Sequence, residues 1–222
     1  MALKAKQPAD ATPRPLSDLV WPEDKYARST NIEFDSRAAD RVPDYKFTSK
    51  SLTLLGDVLE ACEGNRRDRA WSIVGPYGSG KSTFGLFLHQ VLSGNSSPWA
   101  KRCLNQLQLV SPKLGNKLRL ISFNYVPVIV SGSGSSLDLA LCKALLKSAT
   151  DAEPNDSWTS GRFRTSLRTA IETLELGISG SNLVLELYEQ ASKLAEASGH
   201  QGLLVLVDEF GKFLERTARQ KD

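Results

Sequence analysis

Apolar positions recur at helical spacing from Ser49, where Leu52, Leu55, Leu59 and Cys62 share one face, with Ser49 or Ser51 able to cap the start and Gly64 the end. A basic turn, Asn65 to Arg69, then leads into Ala70-Trp71-Ser72-Ile73-Val74, a short apolar run that reads as a buried strand ended by Gly75. From Lys81, residues Phe84, Phe87, Leu88 and Val91 mark a second helix that Gly94 stops. Periodicity is weak from Ser96 to Lys117, which reads as an insertion or irregular crossover. Leu118 to Val130 predicts another strand region, divided or bulged at Pro127. Ser131 to Ser136 predicts a turn opening a helix with Leu137, Leu141, Ala144 and Leu145, and residues 151 to 157 a polar break. Helices are expected over Phe163 to Leu176 and Leu183 to Ala197, then a buried strand over Leu203 to Val207 and a last helix over Lys212 to Arg219. Strands alternating with helices imply a parallel sheet buried on both faces. Residues 1–44, rich in Pro, Asp and Arg, read as a mobile leader and irregular arm, and 45–222 as one α/β domain.

Composition narrows the class. The 222 residues are 41% hydrophobic and 24% charged, which excludes disorder, collagen and coiled coil. The longest apolar runs, Val126 to Val130 and Leu203 to Val207, fall far below the roughly 18 residues that span a bilayer. Residues 1–16 lack the apolar core of a secretion signal, and three cysteines without a CxxC pair oppose a disulfide framework or zinc site, so a cytoplasmic location is expected. The net charge of +3 hides an uneven distribution. No Asp or Glu occurs from Arg69 through Leu137, a stretch carrying Arg69, Lys81, Lys101, Arg102, Lys113, Lys117 and Arg119. Such a stretch either attracts polyanions, nucleic acid included, or is simply a solvated face.

The segment Gly75-Pro76-Tyr77-Gly78-Ser79-Gly80-Lys81-Ser82 fits GxxxxGK[ST], the P-loop pattern, between a predicted strand and a predicted helix. The glycines let backbone amides and the helix N-terminus approach phosphate oxygens. Lys81 brings a positive charge to the β- and γ-phosphates, Ser82 offers a hydroxyl to Mg²⁺, and Thr83 is placed for the α-phosphate. A second motif, Leu203 to Val207 followed by Asp208 and Glu209, delivers two carboxylates at the end of an apolar strand, where open α/β sheets bind ligands.

Together these motifs resemble the P-loop NTPases with a catalytic glutamate, and AAA+ or STAND-like ATPases in particular. The resemblance covers about residues 45 to 215 and implies a three-layer parallel-sheet core with ATP and Mg²⁺ as ligands. Asp208 would join Ser82 in holding the metal, and Glu209 would act with Lys81 in catalysis. Asp208-Glu-Phe-Gly211 also fits the DxxG of GTPases, but no base-reading NKxD occurs: Asn116-Lys117-Leu118-Arg119 ends in the wrong charge. The wording GPYGSGKS with VDEFGKFLE is similar to large ATPases of bacterial anti-phage defence loci. In the resembled group a segment like Asp44 to Thr48 runs past the adenine, so Tyr45 or Phe47 either stacks on a base or is plain core. Arg162, Arg164 and Arg168 either touch nucleic-acid phosphate or form a solvated helix face, and His89 and His200 are expected to be inert.

In that group the strand order 5-1-4-3-2 sets a later strand between the P-loop strand and the Asp-Glu strand. Only a helix is expected after Glu209. Either the core is incomplete at its C-terminus, as in the N-terminal part of a longer ATPase, or the sheet has another order. Three functions follow: an ATPase driving a larger assembly with the rest of a longer chain, with protein partners or by self-association; a nucleotide-gated binding module with little hydrolysis; or a nucleic-acid binder using residues 69–137.

Overall fold

The computed structural model describes residues 29–94, 97–132, 134–152, 158–178 and 180–219, so the expected leader up to residue 28 lies outside the described residues. Among them the chain is mixed α/β. Helices α1 (Ile32–Asp35), α2 (Ser49–Cys62), α3 (Lys81–Leu92), α4 (Pro98–Val110) and α5 (Pro112–Leu120) precede strand β1 (Val126–Ser131). Helices α6 (Leu137–Asp151), α7 (Gly161–Glu175) and α8 (Ser181–Ala197) follow, then strand β2 (Leu203–Asp208) and helix α9 (Phe210–Arg219).

Local chemistry accounts for the helix starts. Thr48 caps α2 and Ser51 reciprocates, completing a capping box whose cap lies one residue before Ser49 and three before Ser51, the two expected caps. Ser97, Ser136 and Ser160 accept first-turn amides of α4, α6 and α7. The expected irregular crossover at 96–117 is instead the helix pair α4 and α5, each opened by a proline in its first turn, where a missing N–H costs nothing. The expected strand at Leu118 begins only at Val126, because Leu118 to Leu120 close α5.

The two strands run parallel, with Val126 opposite Leu203 and Ser131 opposite Asp208. In-register neighbours share a face. Val126, Val128 and Val130 sink into one cluster with α6, α7 and α8, anchored by Leu145, Phe163 and Leu167. The other cluster gathers α2, α3 and α4 around Leu55, Phe84, Phe87 and Trp99, and Leu204 of β2 packs against it. Helices α6, α7 and α8 therefore cover one face of β1, while Pro127 and Ile129 on its other face line a cleft. β2 is less protected: Val205 and Val207 are exposed, and no other strand flanks it among the described residues. Burial of this strand on both faces, which its apolar run suggested, is corrected on that ground.

The strand expected at Ala70 to Val74 is absent. These residues run without a ladder partner, and Val74 is 92% exposed. An apolar run becomes a strand only when a neighbouring edge takes its amides, and none does here. The arm at 29–44 is packed: Ile32 lies against Gly85 of α3, where even an added Cβ would come within 2.6 Å of its Cδ1, and Gln90 donates to the Ser36 carbonyl.

Candidate functional site

Residues 75–80 form a loop over the N-terminus of α3, whose first residues are Lys81 and Ser82. Gly78 and Gly80 adopt φ of +76° and +81°, which L side chains rarely enter. Beneath it Tyr45 fills the space, its ring edge 3.4 Å from where a Gly80 Cβ would stand. Tyr45, Phe47, Phe84 and Phe87 form a chain of ring contacts with Tyr45–Phe47 centroids 5.0 Å apart, so Tyr45 is core and Phe47 half-buried beside it. Burial raises the Tyr45 pKa.

The loop is closed on itself by Lys81. Its Nζ donates to the carbonyls of Gly75 at 2.9 Å and Pro76 at 2.8 Å and lies 3.4 Å from Ser79 Oγ. Ser79 N donates to Pro76 O, and Tyr77 projects from the tip, 91% exposed. The first amides of α3 point out of the helix end, so this rim presents N–H groups, a helix dipole and an ammonium together.

Ser82 and Asp208 meet. Ser82 Oγ donates to Asp208 Oδ1 at 3.1 Å, joining the start of α3 to the end of β2. The same Oδ1 accepts Glu209 N at 3.0 Å. Glu209 is the one non-glycine residue with positive φ among the described residues, at 55°, and its Oε2 is 2.6 Å from Lys212 Nζ. Thr83 is spoken for, since its hydroxyl lies 2.9 Å from that of Thr30 in the arm.

No group of three or more His, Cys, Asp or Glu suited to a metal occurs among the described residues. A serine hydroxyl beside one carboxylate nonetheless suits Mg²⁺, a hard cation usually held by one or two carboxylates, water and phosphate oxygens.

Three contributors carried no expectation: Thr30, Lys212 and Gly132. A Cβ on Gly132 would come within 2.7 Å of Glu209 O and 3.1 Å of its Cβ, so the end of β1 seats the Asp208–Glu209 turn only because residue 132 is glycine. The Ser-Gly repeat around it signals a turn but not this contact.

The acid-free stretch is not a bare cationic surface. Arg102 pairs with Asp44 and Asp40, Lys117 with Glu63, Arg119 with Asn105, and Lys81 with its own loop. Arg162 and Arg168 are exposed and Arg164 half-buried on α7, whose opposite side buries Phe163 and Leu167. His89 and His200 are both buried. No helix among the described residues is long and apolar enough to cross a membrane. Comparison with known proteins sets no relative beside this chain: no family model, no curated protein and no solved structure matches it.

Proposed function

We propose that this chain is an ATP-binding domain that hydrolyses ATP with Mg²⁺, built on a three-layer P-loop core of the catalytic-glutamate, AAA+ or STAND-like kind. The observation that carries this reading is the Ser82–Asp208 hydrogen bond. A hydroxyl and a carboxylate 126 positions apart converge at 3.1 Å beside a glycine-rich loop, and two short motifs falling together by chance would not need to touch. The order β1 beside β2, with residues 70–74 unpaired, also agrees with a core in which another strand separates the P-loop segment from β2.

Gly75 to Gly80 bring backbone amides to the phosphates, and Lys81 exchanges the Gly75 and Pro76 carbonyls for phosphoryl oxygens. Ser82 and Asp208 hold the cation, which when bound neutralises charge on the β- and γ-phosphates. Glu209 orients the attacking water and accepts its proton. A second reading, a nucleotide-gated binding module with little turnover, is favoured by one observation: the Glu209 carboxylate is already engaged by Lys212.

Titration of a fluorescent ATP analogue with Mg²⁺ tests the binding half. Lys81→Ala is expected to weaken affinity by about tenfold or more, the scale of a charge-assisted hydrogen bond. Unchanged affinity overturns the reading. Phosphate release that Glu209→Gln abolishes selects hydrolysis over gating.

A further inference from the structure

A cleft of about 650 Å³ opens at the far end of α3 from the P-loop, between the arm, the start of β1 and α6. Its size falls within the roughly 300–1,000 Å³ of small-molecule sites. At its floor Gln90 is 2% exposed. Gln90 Nε2 donates to Ser36 O at 3.0 Å and stands 3.4 Å from His89 Nδ1, which fixes the amide, while Oε1 has no hydrogen-bond partner. Ser93 Oγ, one turn on, is likewise buried without a partner. Buried acceptors are nearly always satisfied, so an orphaned one on a residue that lines a cleft of this size asks for a ligand donor.

Its neighbour completes the pattern. With Nδ1 accepting from Gln90, the neutral His89 ring carries its proton on Nε2 and offers a donor. Tyr125 and Trp158 line the same cleft as aromatic surface. At the mouth, Lys147 pairs with Glu33 at 2.6 Å and Arg37 pairs with Asp151, fastening the arm to α6 and cancelling each cation with a carboxylate. That balance gives an anion no advantage.

We infer that this cleft binds a small uncharged molecule presenting an N–H donor beside an acceptor, as a primary carboxamide or the edge of an uncharged heterocycle does. Gln90 Oε1 takes the donor, and His89 and Ser93 meet the acceptor. The site is separate from the P-loop and does not rest on the ATPase reading.

Nicotinamide and adenine, titrated into the isotope-labelled full chain, test it by NMR. Expected are shifts centred on residues 89–93 and 125–127 with a dissociation constant on the order of 1 mM. Gln90→Met, which keeps the side-chain volume but removes the acceptor, abolishes them. Ala38→Trp, which adds a ring at the mouth without touching Gln90, does the same and decides alone should Gln90→Met fail to fold. Absence of shifts for both probes up to about 20 mM, or binding that survives either folded variant, overturns the proposal.

Discussion

Ser82 and Asp208 share a hydrogen bond of 3.1 Å although 126 positions separate them. If their role is to hold Mg²⁺ against a nucleotide, Asp208→Ala removes the charged partner and leaves the loop amides in place. The expected outcome is nucleotide binding that persists without Mg²⁺ but gains little from it. The Mg²⁺ enhancement falls by about tenfold, a loss typical of a hydrogen bond to a charged group. Paired titrations with and without Mg²⁺ check this.

Turnover by these 222 residues is expected to be slow. Charge on the γ-phosphoryl must be met by groups in place, and the Glu209 carboxylate is held by Lys212 at 2.6 Å. P-loop enzymes lacking a stabilising arginine turn over at roughly 10⁻³ s⁻¹, while one placed in cis or trans adds about 10³ to 10⁵ in rate. A phosphate-release assay should return a rate near the lower figure; fast turnover would show that the chain places such a group already.

Gly132→Ala should destabilise the fold. The added methyl would stand 2.7 Å from Glu209 O, and backbone cannot yield as a side-chain tip does. About 1–3 kcal/mol is expected, as for overpacking. Gly161→Ala is the control, because nothing lies within 4 Å of its Cβ position and it sits in the first turn of α7. Urea midpoints should fall for the first and hold or rise for the second.

Acid should weaken the fold through His89. Burial lowers its pKa to about 4, against about 6.5 in an unfolded chain. The unfolded state therefore takes up a proton first as pH falls. The stabilisation is whole above pH 6.5 and drains away between 6.5 and about 4, by about 3 kcal/mol in all. Urea midpoints of wild type and His89→Leu at about pH 7.5 and 4.5 isolate this share, since carboxylates titrate alike in both.

Exposure separates two valines that the sequence makes look alike. Val128 is fully buried and Val74 is 92% exposed. Val128→Ala should cost about 2 kcal/mol and Val74→Ala less than about 0.5 kcal/mol, read by thermal unfolding. A large loss at Val74 would mean that residues 70–74 are paired in solution.

The helices were largely legible in the sequence because each carries a complete local signal. α2, α3, α6, α7 and α8 begin and end within about two residues of where apolar spacing and caps set them. α4 and α5 were missed because their apolar stripes are short, although Ser97-Pro98 and Pro112 announce their starts. Strands depend on neighbours. The same apolar character yields a paired strand at Leu203 and bare chain at Ile73, a difference no local pattern contains. The meeting of Ser82 with Asp208 was expected from the motifs, whereas the hold of Lys212 on Glu209 and the clearance at Gly132 are products of packing and became visible only in three dimensions.

The arm that lies along α3 bears on the order in which the chain folds. Thr30 reaches Thr83 and Ser36 reaches Gln90 across 53 and 54 positions, enclosing α2 and the glycine-rich loop. Closing a loop of that length costs entropy before any contact repays it, and contacts distant in sequence slow folding. α3 can gain its arm only once both ends of that loop are ordered. The helix that carries Lys81 and Ser82 is thus secured late, and under mild denaturant its arm should lose amide protection before the β1–α6 cluster opens.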